Sequence, residues 1–468
     1  MSGWKFNMKP MVLPRVNTKY RRIITKLPVP ESLRIFTMLE KYESRSMHGQ
    51  LPVIWDKTDD FLIFDPYGNR WIDFTSTIFV TNSGHGNPHI ISALKRTLNQ
   101  RLLHSYTFVH SSRVKFLKKL IEITPRQFEK AFLLSAGTEA TECAFKLMRM
   151  YGQSINKKKK IVIAFQGCMH GRTMVAELLR GDSKHSSWIG YKDPNIYHLQ
   201  IPFPWNKRVS KRNNHDWKKH FNEDIQSLMK KGLNFDNIAG FIIESYVGWA
   251  AYFYPTGYIR ALCSFAKKHK SLVAFDDIQG GFGRTGKLFA YQHYGVEPDL
   301  ICLGKGLSGS LPLSAVIGRR KIMDLPEIGS MSSTHSGNPL SCAAGLANLE
   351  TIKSKCLISQ ARRKGIILHS RLQQIRKRFP DRISYVFGKG LLAAVIFRKP
   401  HTIEPDSVFA SKVCERAMQR GLLLVHTGRE SIKFGPPLII PDSALLEGLD
   451  VFEESIRELE QEKFMKRM

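Results

Sequence analysis

Leu272-Val-Ala-Phe-Asp276-Asp277-Ile-Gln279-Gly-Gly-Phe-Gly-Arg284-Thr-Gly286-Lys287 is the stretch that decides the fold. An apolar run ends in two carboxylates and then in glycines. Uninterrupted apolar residues over so short a length read as a strand covered on both faces. The carboxylates then stand at its C-terminal edge, where open α/β sheets hold their ligands. Working outward, similar runs occur at 131–134, 160–165, 238–244, 299–303 and 314–318, with the quoted strand drawn at 271–275. Helix-like stretches separate them, for example 138–151 and 256–270. Such alternation predicts an α/β protein with a mainly parallel central sheet and helices on both faces. The flanks read differently. A long helix at 357–379 precedes strands near 391–397 and 422–425. The expected organisation is a large domain over 71–355 and one smaller α+β domain built from both chain ends, 1–70 and 356–468.

The chain has 468 residues, 43% hydrophobic and 24% charged, which suits two or three ordinary globular domains. Disordered, collagen-like and coiled-coil classes are excluded. No apolar run approaches the roughly 18 residues needed to span a bilayer, so no membrane partner is expected. The N-terminal MSGWKFNMKP has no apolar core of a secretory signal. Cysteines 143, 168, 263, 302, 342, 356 and 414 are scattered, odd in number and without a CxxC pair. They suit reduced thiols in a cytoplasmic protein rather than disulfides or a zinc site. The formal charge is +31. Its densest runs are 157–160 and 207–231, the latter carrying Trp217 and His220 and following Trp205. Stacking plus charge is a way to bind single-stranded nucleic acid. The run lacks an RNP, KH or zinc-finger signature, and it reads as a polar excursion between two core strands.

Three elements carry chemistry. In Ala131-Phe-Leu-Leu-Ser-Ala-Gly137-Thr138-Glu139-Ala140 a strand gives way to a helix through small residues. Free N–H groups at Gly137 and Thr138 would cradle a phosphate. The second element is the acidic strand end itself, with two readings. One is the magnesium site of an NTPase, since Gly281 to Lys287 matches GxxxxGK. Leu288 then stands where a Ser or Thr should hold magnesium, and the segment does not bridge a strand to a helix, so the match is accidental. The other reading pairs Asp276 with a protonated pyridine nitrogen. The third element, Leu303-Gly304-Lys305-Gly306, sets one lysine at a strand end between glycines. Alone it reads as a solvent-facing turn. Beside the other two it reads as an amine that forms a Schiff base and shuttles protons.

Together with Asn82-Ser-Gly-His85-Gly-Asn-Pro88, His170-Gly-Arg-Thr173 and Ser333-Thr334-His-Ser-Gly-Asn-Pro339, these stretches occur in an order that resembles the class III aminotransferases. These are pyridoxal 5′-phosphate enzymes of fold type I that include 4-aminobutyrate and ornithine aminotransferases. The resemblance covers about residues 30 to 440. It implies that Lys305 holds the cofactor as a Schiff base and moves the proton. It further implies that Asp276 pairs with the ring nitrogen and that Gln279 hydrogen-bonds the phenolic oxygen. Gly137 and Thr138 would cradle the phosphate, with Glu244 and His170 close to the cofactor. Thr334 would reach the phosphate of the other subunit, making a homodimer with shared active sites.

The departures from the family pattern concern the substrate. Met169 stands where an aromatic residue stacks on the ring, and a thioether can still pack there. Trp249 replaces a glutamate that in relatives pairs with a substrate-binding arginine, and Lys433 replaces a carboxylate-clamping arginine. Phe79, Trp249 and Lys433 are the expected substrate-side residues. Lysine lacks the bidentate fork, so the pattern suits an uncharged or polyhydroxylated amine. Antibiotic-pathway aminotransferases acting on aminoglycoside aldehydes are similar in this region. The expected function is transfer of an amino group from glutamate or another amine to an aldehyde or ketone. A 4-aminobutyrate or ornithine type of ω-aminotransferase, a mutase or epimerase on the same fold, and a nucleic-acid-binding protein are the alternatives.

Overall fold

The computed structural model of the chain describes residues 4–204 and 216–465. Trp205 and the first part of the basic run, 207–215, lie outside the described residues. The rest of that run forms the helix Trp217–Met229, which buries His220, Phe221, Ile225 and Leu228. It packs against the helix Thr256–Lys268, so this part of the run is one wall of the core.

The N-terminal strands β1 (Val16–Asn17), β2 (Arg22–Ile23), β3 (Lys57–Asp59), β4 (Leu62–Phe64) and β5 (Arg70–Asp73) pair in the order β1-β2-β5-β4-β3. The central sheet follows. It consists of β6 (Lys130–Leu134), β7 (Ile161–Phe165), β8 (Ile196–Leu199), β9 (Ile238–Glu244), β10 (Leu272–Asp276), β11 (Leu300–Leu303) and β12 (Ser314–Gly318), in the order β6-β12-β11-β10-β9-β7-β8. Only β12 runs against its neighbours; the pairs among β7, β8, β9, β10 and β11 are parallel. The strand at 196–199 is an addition to the sequence expectation. It is the sheet's edge, mostly half-buried, and so lacks a continuous apolar run.

Why the sheet is buried on both faces follows from the two-residue period of a strand. Ile163, Phe241, Val273, Phe275, Ile301 and Leu303 face one core with Tyr258 and Leu262 of the helix Thr256–Lys268. Val162, Ile242, Leu272, Ala274, Leu300 and Cys302 face another with Ala144, Leu147 and Met148 of the helix Gly137–Ile155. Each such side chain removed from water contributes about 1.5–3 kcal/mol, before ordering costs.

C-terminal strands β13 (Ile383–Lys389), β14 (Leu392–Phe397), β15 (Leu422–Leu423), β16 (Val425–His426) and β17 (Ser431–Phe434) complete the set. One strand was expected over 422–425. The chain instead divides at Leu424: β15 joins the N-terminal sheet, parallel to β5, while β16 pairs with β17. The remaining sheet is antiparallel, in the order β13-β14-β17-β16. Among the described residues no helix is long and apolar enough to cross a membrane. All seven cysteines are free thiols.

Candidate active site

Adjacent parallel strands set the first two groups side by side. Asp276 ends β10, Glu244 ends β9, and the two are register partners. Lys305 follows β11 across Gly304, Gly137 opens the helix after β6, and Met169 and His170 follow β7. All these residues, with Thr138 and Gln279, line one cavity of about 460 Å³. The strand-end rule that located Asp276 in the sequence therefore locates the rest as well.

Burial dominates the electrostatics. Asp276 Oδ2 lies 2.9 Å from His170 Nδ1, and Oδ1 accepts the Ile278 N–H at 3.2 Å. Glu244 Oε2 accepts the Met169 N–H at 3.1 Å, and desolvation raises the Glu244 pKa. Desolvation also lowers the pKa of Lys305, opposed by the charges of Asp276 and Glu244. The Lys305 backbone is left-handed, at φ +46. For a residue with a Cβ that is a strained state, and strain of this kind gathers at functional positions.

The opposite charge preference is met at the start of the helix Gly137–Ile155. First-turn N–H groups have no acceptor inside a helix and sit at its positive end. A Cβ on Gly137 would lie 3.0 Å from Ile278 Cδ1, so glycine leaves the backbone open there. Thr138 Oγ1 is 2.6 Å from Thr173 Oγ1. One cavity thus offers an anion cradle, a buried carboxylate, an amine of lowered proton affinity and a primary amide. That donor set fits pyridoxal phosphate: the cradle suits the phosphate and Asp276 suits a cationic ring nitrogen.

The family model for class III aminotransferases matches residues 43–456. The chain belongs to this family. It is a pyridoxal-phosphate-dependent aminotransferase of fold type I, so the nucleic-acid-binding and NTPase alternatives fall. A 4-aminobutyrate aminotransferase of Mycobacterium leprae is 32% identical over 438 residues, covering 92% of this chain and 97% of that protein. A mitochondrial acetylornithine aminotransferase of Saccharomyces cerevisiae is 30% identical over 407 residues, 84% of this chain and 88% of that protein. Ornithine aminotransferase from Toxoplasma gondii, solved with partial occupancy of pyridoxal phosphate at its active site, superposes with a TM-score of 0.80 at 26% identity. That match covers 93% of this chain and 96% of that one.

Four expected site residues are not on the cavity wall. Thr334 belongs to a separate stretch, where its carbonyl is 2.8 Å from His104 Nε2. Its neighbours Ser332, Ser333 and Ser336 line a second cavity of about 330 Å³. Phe79, Trp249 and Lys433, expected on the substrate side, are not among the residues that line this cavity. A buried ammonium needs acceptors, and Lys433 finds them in Gly248 O and Gln279 Oε1, at 2.9 and 3.1 Å. Trp249 stacks on Phe203 and carries the Arg429 guanidinium 3.9 Å above its ring. Phe79 packs under Lys433.

Sequence reasoning missed Ile78, Tyr246 and the run Ser310 to Leu313, all on the cavity wall. Tyr246 closely follows the strand-end Glu244, and 310–313 continues the glycine-rich run after Lys305, so both were within reach of the strand-end rule. Ile78 was not, because it lies on a left-handed turn far from the central sheet in sequence. The GxxxxGK match, for its part, forms no phosphate loop: Arg284 is fully buried and donates to Leu391 O, and Lys287 donates to Gln292 O.

Proposed function

We propose that this aminotransferase passes an amino group from a donor amine, L-glutamate or another, to an aldehyde or ketone without a carboxylate to be clamped, amino-sugar aldehydes included. The observation that supports this reading is the wall of the cavity. Among its described lining residues there is no arginine, and the lysine at the expected clamp position is engaged by Gln279 and Gly248. The second reading is a 4-aminobutyrate or ornithine type of ω-aminotransferase, favoured by the identity to such relatives along most of the chain. A mutase or epimerase would share the same early proton transfer.

Pyridoxal phosphate, when bound, supplies the carbonyl that exchanges the amino group and a ring that draws charge from the amine carbon. The chain does the rest. Lys305, its amine already biased toward the neutral form by burial, holds the cofactor and carries the proton to and from the substrate carbon. Asp276, itself held by His170, keeps the ring nitrogen protonated. Gly137 and Thr138 bind the phosphate through backbone N–H groups. Gln279 would donate to the phenolic oxygen and Met169 would pack on the ring, with Glu244 fixing the Met169 backbone. Thr334 would serve the site of a second copy, so the working unit is a homodimer. The division into 71–355 and the two chain ends is proposed with it, supported by the Tyr20–Ser443 and Arg21–Glu447 hydrogen bonds that join those ends. Seven free thiols support a reducing, cytoplasmic setting.

The test is to load the protein with pyridoxal phosphate and follow bleaching of its visible band by glutamate, 4-aminobutyrate, ornithine and an aminoglycoside. The carbonyl product of each amine (a keto acid from glutamate, an aldehyde or ketone from the others) is assayed in parallel. Fastest bleaching by the aminoglycoside supports the first reading. Fastest bleaching by 4-aminobutyrate or ornithine replaces it with the second. Bleaching with no net release of a carbonyl product points to a mutase or epimerase.

A further inference from the structure

Lys433 and Gln279 come from different sheets and meet behind the cavity. The Lys433 amine donates to Gly248 O at 2.9 Å and to Gln279 Oε1 at 3.1 Å, with the Phe79 ring 4.5 Å from the same nitrogen. Lys433 is 4% exposed, and burial, aided by the nearby charge of Lys305, pulls its pKa down to about 7. An ammonium donates hydrogen bonds and accepts none. In the structure the Gln279 atom that faces it is the oxygen, the orientation that protonated Lys433 enforces, and the amide NH2 points elsewhere. Gln279 lines the cavity. Its Nε2 makes no hydrogen bond to any described residue, so its donors are free for a bound group. Gly248 keeps this arrangement possible, because a Cβ there would lie 2.5 Å from Glu244 Oε1 and 3.3 Å from Gln279 Nε2.

Resting on the cofactor-site reading above, we propose that Lys433 is a positioning residue for Gln279. It locks the amide so that only donors face the cavity, which selects a deprotonated ring oxygen on the bound cofactor. Lys433 then acts through Gln279, in a chain that no strand-end rule would find. Its role is to orient the amide, and clamping a substrate carboxylate is not its task.

The experiment measures pyridoxal phosphate dissociation from the full chain by absorbance titration. Gln279→Glu keeps an acceptor for Lys433, and strengthens that pair, but removes both N–H donors. It is expected to bind the cofactor about tenfold more weakly, the worth of one such hydrogen bond. Lys433→Met frees the amide to rotate and should loosen the cofactor severalfold. In a Gln279→Ala background the same change should have no further effect, since the two act as one unit. Wild-type affinity in Gln279→Glu overturns the proposal. So does an equal loss from Lys433→Met in both backgrounds, which would make Lys433 a distant charge or a packing residue. If Lys433→Met does not fold, Lys433→Gln, whose own amide can accept as well as donate and so fixes neither orientation of Gln279, replaces it in both backgrounds. Failure of the wild-type chain to bind pyridoxal phosphate at all is a different result: it removes the cofactor reading and this proposal with it.

Discussion

At the rim of the central sheet, Glu244, Asp276 and Lys305 sit at or just beyond the ends of adjacent strands, and backbone pairing sets their spacing. In the layer behind them nothing so simple operates. Ser76, Thr77, Ile78 and Phe79 form a turn with φ between +46 and +70. For residues with a Cβ, left-handed backbone costs about 1–2 kcal/mol each. The turn is held by the fully buried Arg284, which gives hydrogen bonds to Ser76 Oγ at 3.1 Å, Asn82 Oδ1 at 2.7 Å, Leu391 O at 3.1 Å and Pro436 O. Ser76 Oγ in turn donates to Gly435 O at 2.6 Å, which ties the turn to the end of β17. One region is placed by local rules and can be rebuilt from any parallel sheet. The other is placed by a polar network spanning four separate stretches of chain, and it determines what stands behind the amide of Gln279.

The sharpest way to break this contrast is at the rim. Lys305→Ala should lower turnover by ~10³-fold or more while the melting temperature stays near that of wild type, because the amine makes no hydrogen bond to any described residue. Near-normal turnover would mean that the rim does not carry the chemistry. The matching attack on the layer is Arg284→Met. It leaves Asn82, Ser76 and two carbonyls without their donor, and should cost about 3–5 kcal/mol in urea unfolding. Arg284→Lys should recover only part of this, since an ammonium cannot reach four acceptors in fork geometry. A loss under 1 kcal/mol would show that the turn is held by something else.

A smaller effect distinguishes the two neighbouring aspartates. Asp276 has His170, whereas burial pushes Asp277 up to about 7 from the ordinary carboxylate value near 3.8. A raised acid favours its protonated form in the folded state. Wild-type stability should therefore fall as pH rises from about 4 to about 7 and then level off. Asp277→Asn removes that penalty. Its melting temperature should exceed wild type by at least ~2 °C at pH 8 and converge on it near pH 4. A constant offset at all pH values would contradict the raised pKa.

How much was legible follows the same divide. The strands at 238–244 and 314–318 were readable to the residue because both faces are buried and the apolar run is continuous. The places of Asp276, Lys305 and Gly137 on one cavity wall were readable because they follow from strand ends. The edge strand β8 was not, being half-wet. The split at Leu424 was hidden because one apolar run serves two sheets. Lys433 was found by motif, but only tertiary contact, across more than a hundred residues, shows that Gln279 and Gly248 take its hydrogen bonds. Arg284 looked like part of a phosphate loop because sequence does not reveal that its side chain turns inward.

The central claim is that Lys305 is the amine that holds pyridoxal phosphate. Borohydride reduction of the loaded protein, followed by proteolysis and mass spectrometry, tests it directly. The expected result is a stable phosphopyridoxyl group on the peptide containing Lys305, absent from the Lys305→Ala variant. Modification of another lysine in its place, or none at all in cofactor-loaded wild-type protein, would contradict it.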